Sequence, residues 1–186
     1  MNLRDFSRIV PVLNLPSGAP HRQGEQINPL GQQFDKASIN FTKWLNQSLG
    51  STVYEAQTYQ EIFKTMPGGR IPTTRKRVAD RILTNSPMTI LFLFPGANNE
   101  KTHLWGLIWD LAEQTRYDPG KIVPVYFPGA EYCGDLEDVV PVDFRVNSIA
   151  ELCREWTRLV DVIKEKLGVD FAAPDAYALQ TALPKP

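Results

Sequence analysis

Two carboxylates, Asp110 and Glu113, stand three residues apart in a tryptophan-containing segment that is predicted to be helical. Residues at this spacing lie on one face of a helix, and Trp105 and Trp109 precede them in the chain. A carboxyl group held against large apolar rings has a raised pKa, which suits a general base, a nucleophile or an acceptor for ribose hydroxyls. The alternative is a solvated helix face for the carboxylates and a core position for the tryptophans.

A second group of candidates is the basic segment PGGRIPTTRKR at residues 67–77, which joins a Gly-Gly turn to a predicted helix start. Backbone N–H groups and the helix dipole favour anions there, so Arg70 and Arg75 could hold a phosphate. His103, at the start of the helix that carries the two carboxylates, could donate or accept a proton near neutral pH. The chain has no GxGxxG motif and no P-loop, and the alternative is a solvated basic helix start.

The elements that would position these side chains follow from the hydrophobic pattern. Five short apolar runs predict strands, over residues 8–15, 51–56, 88–94, 121–127 and 140–146. Four segments with helical periodicity predict helices, over residues 37–49, 72–85, 102–117 and 149–167. This alternation predicts an α/β fold with a mostly parallel sheet and helices on both faces. Ligands bind such sheets at the carboxyl ends of the strands, so a site is expected in the loops that follow them.

Length and composition predict a single α/β domain over residues 1–168, with a long polar loop at 16–36 and a C-terminal tail at 169–186. Twenty Lys and Arg against 21 Asp and Glu give a net charge of −1, which disfavours binding to duplex nucleic acid. No apolar run is long enough to span a membrane, and two cysteines do not make a disulfide framework. We therefore expect a cytoplasmic protein without a membrane anchor. Two cysteines and two distant histidines also cannot form a zinc ligand set, so no metal or other cofactor is expected.

The order of the pieces resembles Toll/interleukin-1 receptor (TIR) domains over about residues 70–167. The segment ADRILTNSPMTILFLF at 79–94, followed by a helix with Trp and acid residues, is similar to the middle of those domains. KIVPVYF at 121–127 and GDLEDVVPVDFR at 134–145 are similar to their last third. The resemblance implies a flavodoxin-like, doubly wound sheet of about five strands. In many bacterial and plant members it also implies cleavage of the nicotinamide–ribose bond of NAD by a Glu on the third helix.

The position of that Glu stays open in this chain. The family's enzymes tend to place it four residues after a Trp, and Glu113 stands four after Trp109. The position four after Trp105 is Trp109, and Asp110 comes one residue later. The same segment also looks like nucleoside 2-deoxyribosyltransferase-like proteins. The matching residues are Ala79-Asp80 before the strand, Phe92 to Pro95 at its end, and Trp109 to Ala112 with Asp in place of the nucleophilic Glu.

Both resemblances imply an enzyme that cleaves an N-glycosidic bond to ribose. The expected substrate is NAD or a related nucleotide or nucleoside, with NAD as substrate rather than cofactor and a function in bacterial defence. Asp110 or Glu113 would act at the ribosyl centre, Trp105 or Trp109 would wall the base pocket, and the arginines of the basic segment would meet phosphates. The alternative is a non-catalytic TIR-like module that works by assembly.

Assembly would use helix faces. In the predicted helix at 149–167, Arg154 and Arg158 are like charges at i,i+4, as are Glu151 and Glu155. These charges either neutralise one another at i,i+3 within the helix or meet a partner in a homo-oligomer.

Overall fold

A computed structural model of the chain describes residues 6–15, 29–50, 52–64, 85–97, 119–132, 136 and 141–172. Its strands are β1 (Ile9–Leu15), β2 (Glu55–Thr58), β3 (Thr89–Leu93), β4 (Ile122–Tyr126) and β5 (Val142–Asp143). The helices that lie fully within the described ranges are α1 (Pro29–Leu49), α2 (Tyr59–Lys64) and α3 (Ile149–Leu167). Short 3-10 turns precede β1 and β4, at Phe6–Arg8 and Pro119–Lys121.

The five strands form one parallel sheet in the order β2-β1-β3-β4-β5. The α/β class and the flavodoxin-like arrangement predicted from the sequence are therefore confirmed. Every residue of β1, β3 and β4 is buried. Strands covered on both faces have continuous apolar sequences rather than alternating ones, which is why these three runs were recognisable.

Alternate residues of the strands divide the core into two clusters, one on each face of the sheet. The larger cluster combines side chains of β1, β3, β4 and β5 with α1 and α3 on one face. The second cluster lies on the other face, where Tyr59 at the start of α2 packs against it. Phe171, beyond the end of α3, also joins the larger cluster, with its ring centroid 6.2 Å from that of Trp44. The core thus includes the first residues of the predicted tail.

The helix α1 begins at Pro29, eight residues before the predicted start at residue 37. Residues 29–36 of the predicted loop at 16–36 are therefore helical, and residues 16–28 lie outside the described part of the chain. Proline is compatible with a helix start because the first N–H groups have no helical acceptor. Phe34 anchors the additional turns, since its ring stacks on Phe94 with centroids 4.1 Å apart.

The helix α3 has the bounds predicted from the sequence. At its start the Glu151 N–H donates to Ser148 Oγ over 3.2 Å, and the Glu151 carboxylate accepts from the same hydroxyl. This Ser-x-x-Glu pairing satisfies a backbone donor that the helix itself leaves free. At its end Gly168 adopts φ 63°, and its N–H points back to the last helical carbonyls. Positive φ favours glycine, so the helix ends there.

Candidate functional site

The seven catalytic and substrate-binding candidates predicted from the sequence all lie outside the described part of the chain. Arg70 and Arg75 fall between α2 and β3, and the remaining five fall between β3 and β4. They are His103, Trp105, Trp109, Asp110 and Glu113. What the structure does place is the strand from which the second segment departs, because β3 ends at Leu93 and the described chain continues to Ala97.

The carboxyl end of β3 lies beside that of β1. Asn14 of β1 is in register with Phe92, and the Phe94 N–H donates to the Leu15 carbonyl over 2.9 Å. From β1 the chain goes to β2 on one side of the sheet, whereas from β3 it goes to β4 on the other side. This reversal is the topological switch point, where open α/β sheets form a crevice and bind ligands.

A polar cluster with three buried members and the half-buried Gln60 occupies the β1 side of this crevice. We call Asn14, Asp35, Ser38 and Gln60 the carboxyl-edge cluster. The Asn14 amide donates to Asp35 Oδ1 over 2.8 Å, and Gln60 Nε2 donates to Asp35 Oδ2 over 3.1 Å. The Ser38 hydroxyl lies 3.0 Å from Asn14 Oδ1. Asp35 is only 8% exposed, so its carboxylate is largely shielded from bulk solvent. The amides of Asn14 and Gln60 hold it in place.

Three elements bring this cluster together. Asn14 is the penultimate residue of β1, and its side chain points to the sheet face on which α1 packs. Asp35 and Ser38 share a face of α1 because they stand three residues apart. Gln60 belongs to the first turn of α2, directly after β2. In the same turn the Thr58 N–H and hydroxyl both donate to Glu61 Oε2, over 2.7 and 2.8 Å, which fixes the start of α2.

The cluster opens into a small cleft. Its lining includes the carboxyl-edge cluster together with Ile39, Thr58 and Tyr59. The cavity volume of about 10 Å³ is on the order of that needed by one water molecule. The Asn14 and Gln60 amides supply two of the hydrogen bonds that the Asp35 carboxylate accepts. A carboxylate is the kind of acceptor that a hydroxyl or amide group of a ligand requires.

Sequence reasoning missed the carboxyl-edge cluster. Asp35 lay inside the predicted loop at 16–36, and Asn14 was a single polar residue in an otherwise apolar predicted strand. Two features of the sequence could have indicated the cluster. One is the Asp-x-x-Ser spacing of Asp35 and Ser38, and the other is the polar Asn14 near the carboxyl end of an apolar strand.

A second polar group lies at the end of β5, on the far side of β4. Arg145 holds Asp143 through two bonds, from Nε to Oδ1 over 2.8 Å and from Nη2 to Oδ2 over 2.7 Å. Its Nη1 donates to the Ala130 carbonyl, and its guanidinium carbon lies 4.5 Å from the centre of the Tyr126 ring. The hydrogen bonds from Arg145 lower the pKa of Asp143 below its usual value, and the same contact raises the pKa of Arg145. The guanidinium group of Arg145 is engaged by these contacts with Asp143, Ala130 and Tyr126. We therefore assign the Asp143–Arg145 pair to stability rather than to ligand binding.

The lowered pKa of Asp143 predicts a pH-dependent contribution to stability. Because the folded pKa lies below 3.8, the contribution is present above that value and is lost as the pH falls through the folded pKa. We expect Asp143→Asn to lower the free energy of unfolding at neutral pH by about 0.5–1 kcal/mol, as for a partly exposed ion pair. The difference from wild type should shrink towards zero below the folded pKa. Urea unfolding at neutral and strongly acidic pH measures it, with Glu131→Gln as an exposed control, and an undiminished difference in acid would contradict this assignment.

The fold and the crevice define a flavodoxin-like α/β protein with a polar site at the carboxyl edge of its parallel sheet. Comparisons of the chain with protein-family models, with curated proteins and with solved structures gave no match. In the described ranges no helix is long and apolar enough to cross a membrane. The same part of the chain contains no group of three or more His, Cys, Asp or Glu side chains arranged to hold a metal ion.

Proposed function

We propose that this protein binds a nucleotide or nucleoside in the crevice between β1 and β3 and cleaves its N-glycosidic bond. The observation that carries the proposal is the buried carboxylate of Asp35, held by Asn14 and Gln60 at the carboxyl end of β1. A carboxylate fixed at a switch point suits a ribose hydroxyl, which donates one hydrogen bond.

The chemistry is assigned to residues that follow β3 in the sequence, the strand that borders the crevice opposite β1. Cleavage of an N-glycosidic bond builds positive charge on the ribosyl centre, and a carboxylate stabilises that charge or attacks the carbon. Asp110 and Glu113 are the candidates for this role, and water or a second nucleophile would complete the reaction. Trp105 and Trp109 would stack on the base, since aromatic rings supply large flat contact areas.

The resemblances suggest two substrate classes within this proposal. Likeness to TIR domains favours NAD, with nicotinamide as the leaving base, and Arg70 and Arg75 would then meet its phosphates. Likeness to nucleoside 2-deoxyribosyltransferase-like proteins favours a nucleoside without phosphates. In that second case the basic segment at 67–77 would have no phosphate to bind.

The test is to incubate the purified protein with NAD and with nucleosides and to follow the free base by chromatography. We expect base release from one of the two classes, and Asp35→Asn should raise KM with a smaller effect on kcat, because Asp35 is assigned to binding. Ser38→Ala is the matched control, since it alters the same cluster without removing the carboxylate. No release from any nucleotide or nucleoside would overturn the proposed function. Release with an unchanged KM in Asp35→Asn would overturn the assignment of Asp35.

A further inference from the structure

The outer face of α3 carries a stripe of four charged side chains, Arg154, Arg158, Asp161 and Glu165. Their spacing of four, three and four residues keeps them on one side of the helix. That side is opposite to the buried residues of α3, which include Leu159 and Ile163. Arg154, Asp161 and Glu165 are exposed, and Arg158 is half-buried. We call this set the α3 charge stripe.

The order of charges along the stripe is self-complementary. Two cations come first and two anions follow, and the positions are symmetric about the midpoint between Leu159 and Val160. If two copies of α3 lie antiparallel about a twofold axis at that midpoint, Arg154 faces the partner's Glu165 and Arg158 faces the partner's Asp161. A twofold interface repeats each of these contacts, so every charge of the stripe meets an opposite one.

Within α3, the two arginines of the stripe form ion pairs, but its two anions do not. Arg154 Nη2 lies 3.7 Å from Glu151 Oε1, and Arg158 Nη1 lies 3.3 Å from Glu155 Oε2, so both arginines form the i,i+3 pairs that were one of the two alternatives for these charges. Asp161 and Glu165 form no ion pair with any described residue.

The placement of the two anions is also unfavourable for an isolated helix. Asp161 and Glu165 are like charges at i,i+4, and Glu165 stands in the last turn, where the helix dipole favours cations. A partner that supplies arginines at these positions removes both costs. The net charge of −1 leaves little long-range repulsion between copies.

We propose that two copies of this chain associate through antiparallel pairing of the α3 charge stripe. The occupant is a second copy because this stripe is complementary to itself in that orientation. An interface made of exposed ion pairs is screened by salt, so the dimer is expected to dissociate as ionic strength rises. This proposal does not depend on the protein being an enzyme.

Sedimentation velocity at several protein and salt concentrations tests the proposal. We expect a concentration-dependent dimer at low salt and a monomer at high salt. Reversal of one charge, in Arg158→Glu or Asp161→Arg, should weaken the dimer about tenfold or more, because each change places like charges together twice. Glu131→Arg changes the net charge away from α3 and serves as the control, which should leave the dimer intact.

A pair of complementary variants makes the test independent of folding defects in any one chain. Arg154→Glu with Arg158→Glu makes the stripe wholly acidic, and Asp161→Arg with Glu165→Arg makes it wholly basic. Neither variant should dimerise alone, and an equimolar mixture should form a heterodimer at low salt. A wild-type monomer under all conditions would overturn the proposal. So would a dimer that both variants retain, or a mixture of folded variants, checked by circular dichroism, that stays monomeric.

Discussion

Replacement of Asp110 or Glu113 by alanine is expected to lower the rate of base release by about 10²- to 10⁴-fold, the range associated with loss of one positioned acid–base group. Only one of the two should show the full loss. The reason is that a single carboxylate suffices at the ribosyl centre, where the bond to the base breaks and positive charge develops. Chromatographic measurement of free base under single-substrate conditions gives kcat and KM for each variant.

The two variants separate the resemblances as well as the residues. Loss in Glu113→Ala would agree with the TIR spacing of four residues after Trp109, and loss in Asp110→Ala would agree with the deoxyribosyltransferase outline or with the TIR position near Trp105. Glu131→Ala removes an exposed carboxylate that follows β4 at the same edge of the sheet, and it should retain wild-type rates. Equal release by wild type and both variants would place the catalytic group elsewhere in the protein.

The parts of the fold that the sequence predicted well are those in which one local pattern determines the structure. The run over β3 is apolar throughout because the strand is covered on both faces, so its assignment needed no knowledge of its neighbours. The bounds of α3 followed from Ser148 with Glu151 at one end and Gly168 at the other, each of which is a local signal.

Local patterns failed where only tertiary packing supplies the reason for an element. The first turns of α1 bury Phe34 and Asp35 but expose Gln32 and Gln33, so they lack an apolar period that would mark a helix. With six residues, α2 is too short to show a period at all. β2 begins at Glu55 rather than at the predicted residue 51, and Val53 before it is 62% exposed.

The candidate site was predictable as a location and not as a set of residues. A parallel α/β sheet directs the search to the carboxyl ends of its strands, and the carboxyl-edge cluster lies there. Asn14 and Asp35 stand 21 residues apart, and their hydrogen bond exists only because α1 packs on the face to which Asn14 points. No spacing rule connects such residues, so the contact had to be read from the structure.

Replacement of Trp156 by alanine is expected to lower the free energy of unfolding by about 3–5 kcal/mol, as for other large aromatic residues in cores. Trp156 is 3% exposed and joins α3 to the sheet and to α1. Its ring centroid lies 5.0 Å from Trp44, 5.9 Å from Phe41 and 6.2 Å from Phe144. Small domains have stabilities of about 5–15 kcal/mol, so this one truncation would remove a large fraction of the total.

Trp156→Phe is the matched control, because the two replacements differ in what they remove. Phenylalanine keeps a ring among Trp44, Phe41 and Phe144 but removes the indole N–H. The indole Nε1 of Trp156 has no hydrogen-bond partner among the described residues. A buried donor without an acceptor costs free energy, so its deletion offsets part of the lost packing and the net loss should be about 1 kcal/mol or less. Urea unfolding followed by far-ultraviolet circular dichroism measures both variants without relying on the replaced fluorophore. Equal losses for the two variants would mean that the indole N–H is satisfied in the folded protein. A small loss of unfolding free energy in Trp156→Ala would mean instead that the contacts of Trp156 with the neighbouring aromatic rings do not anchor α3.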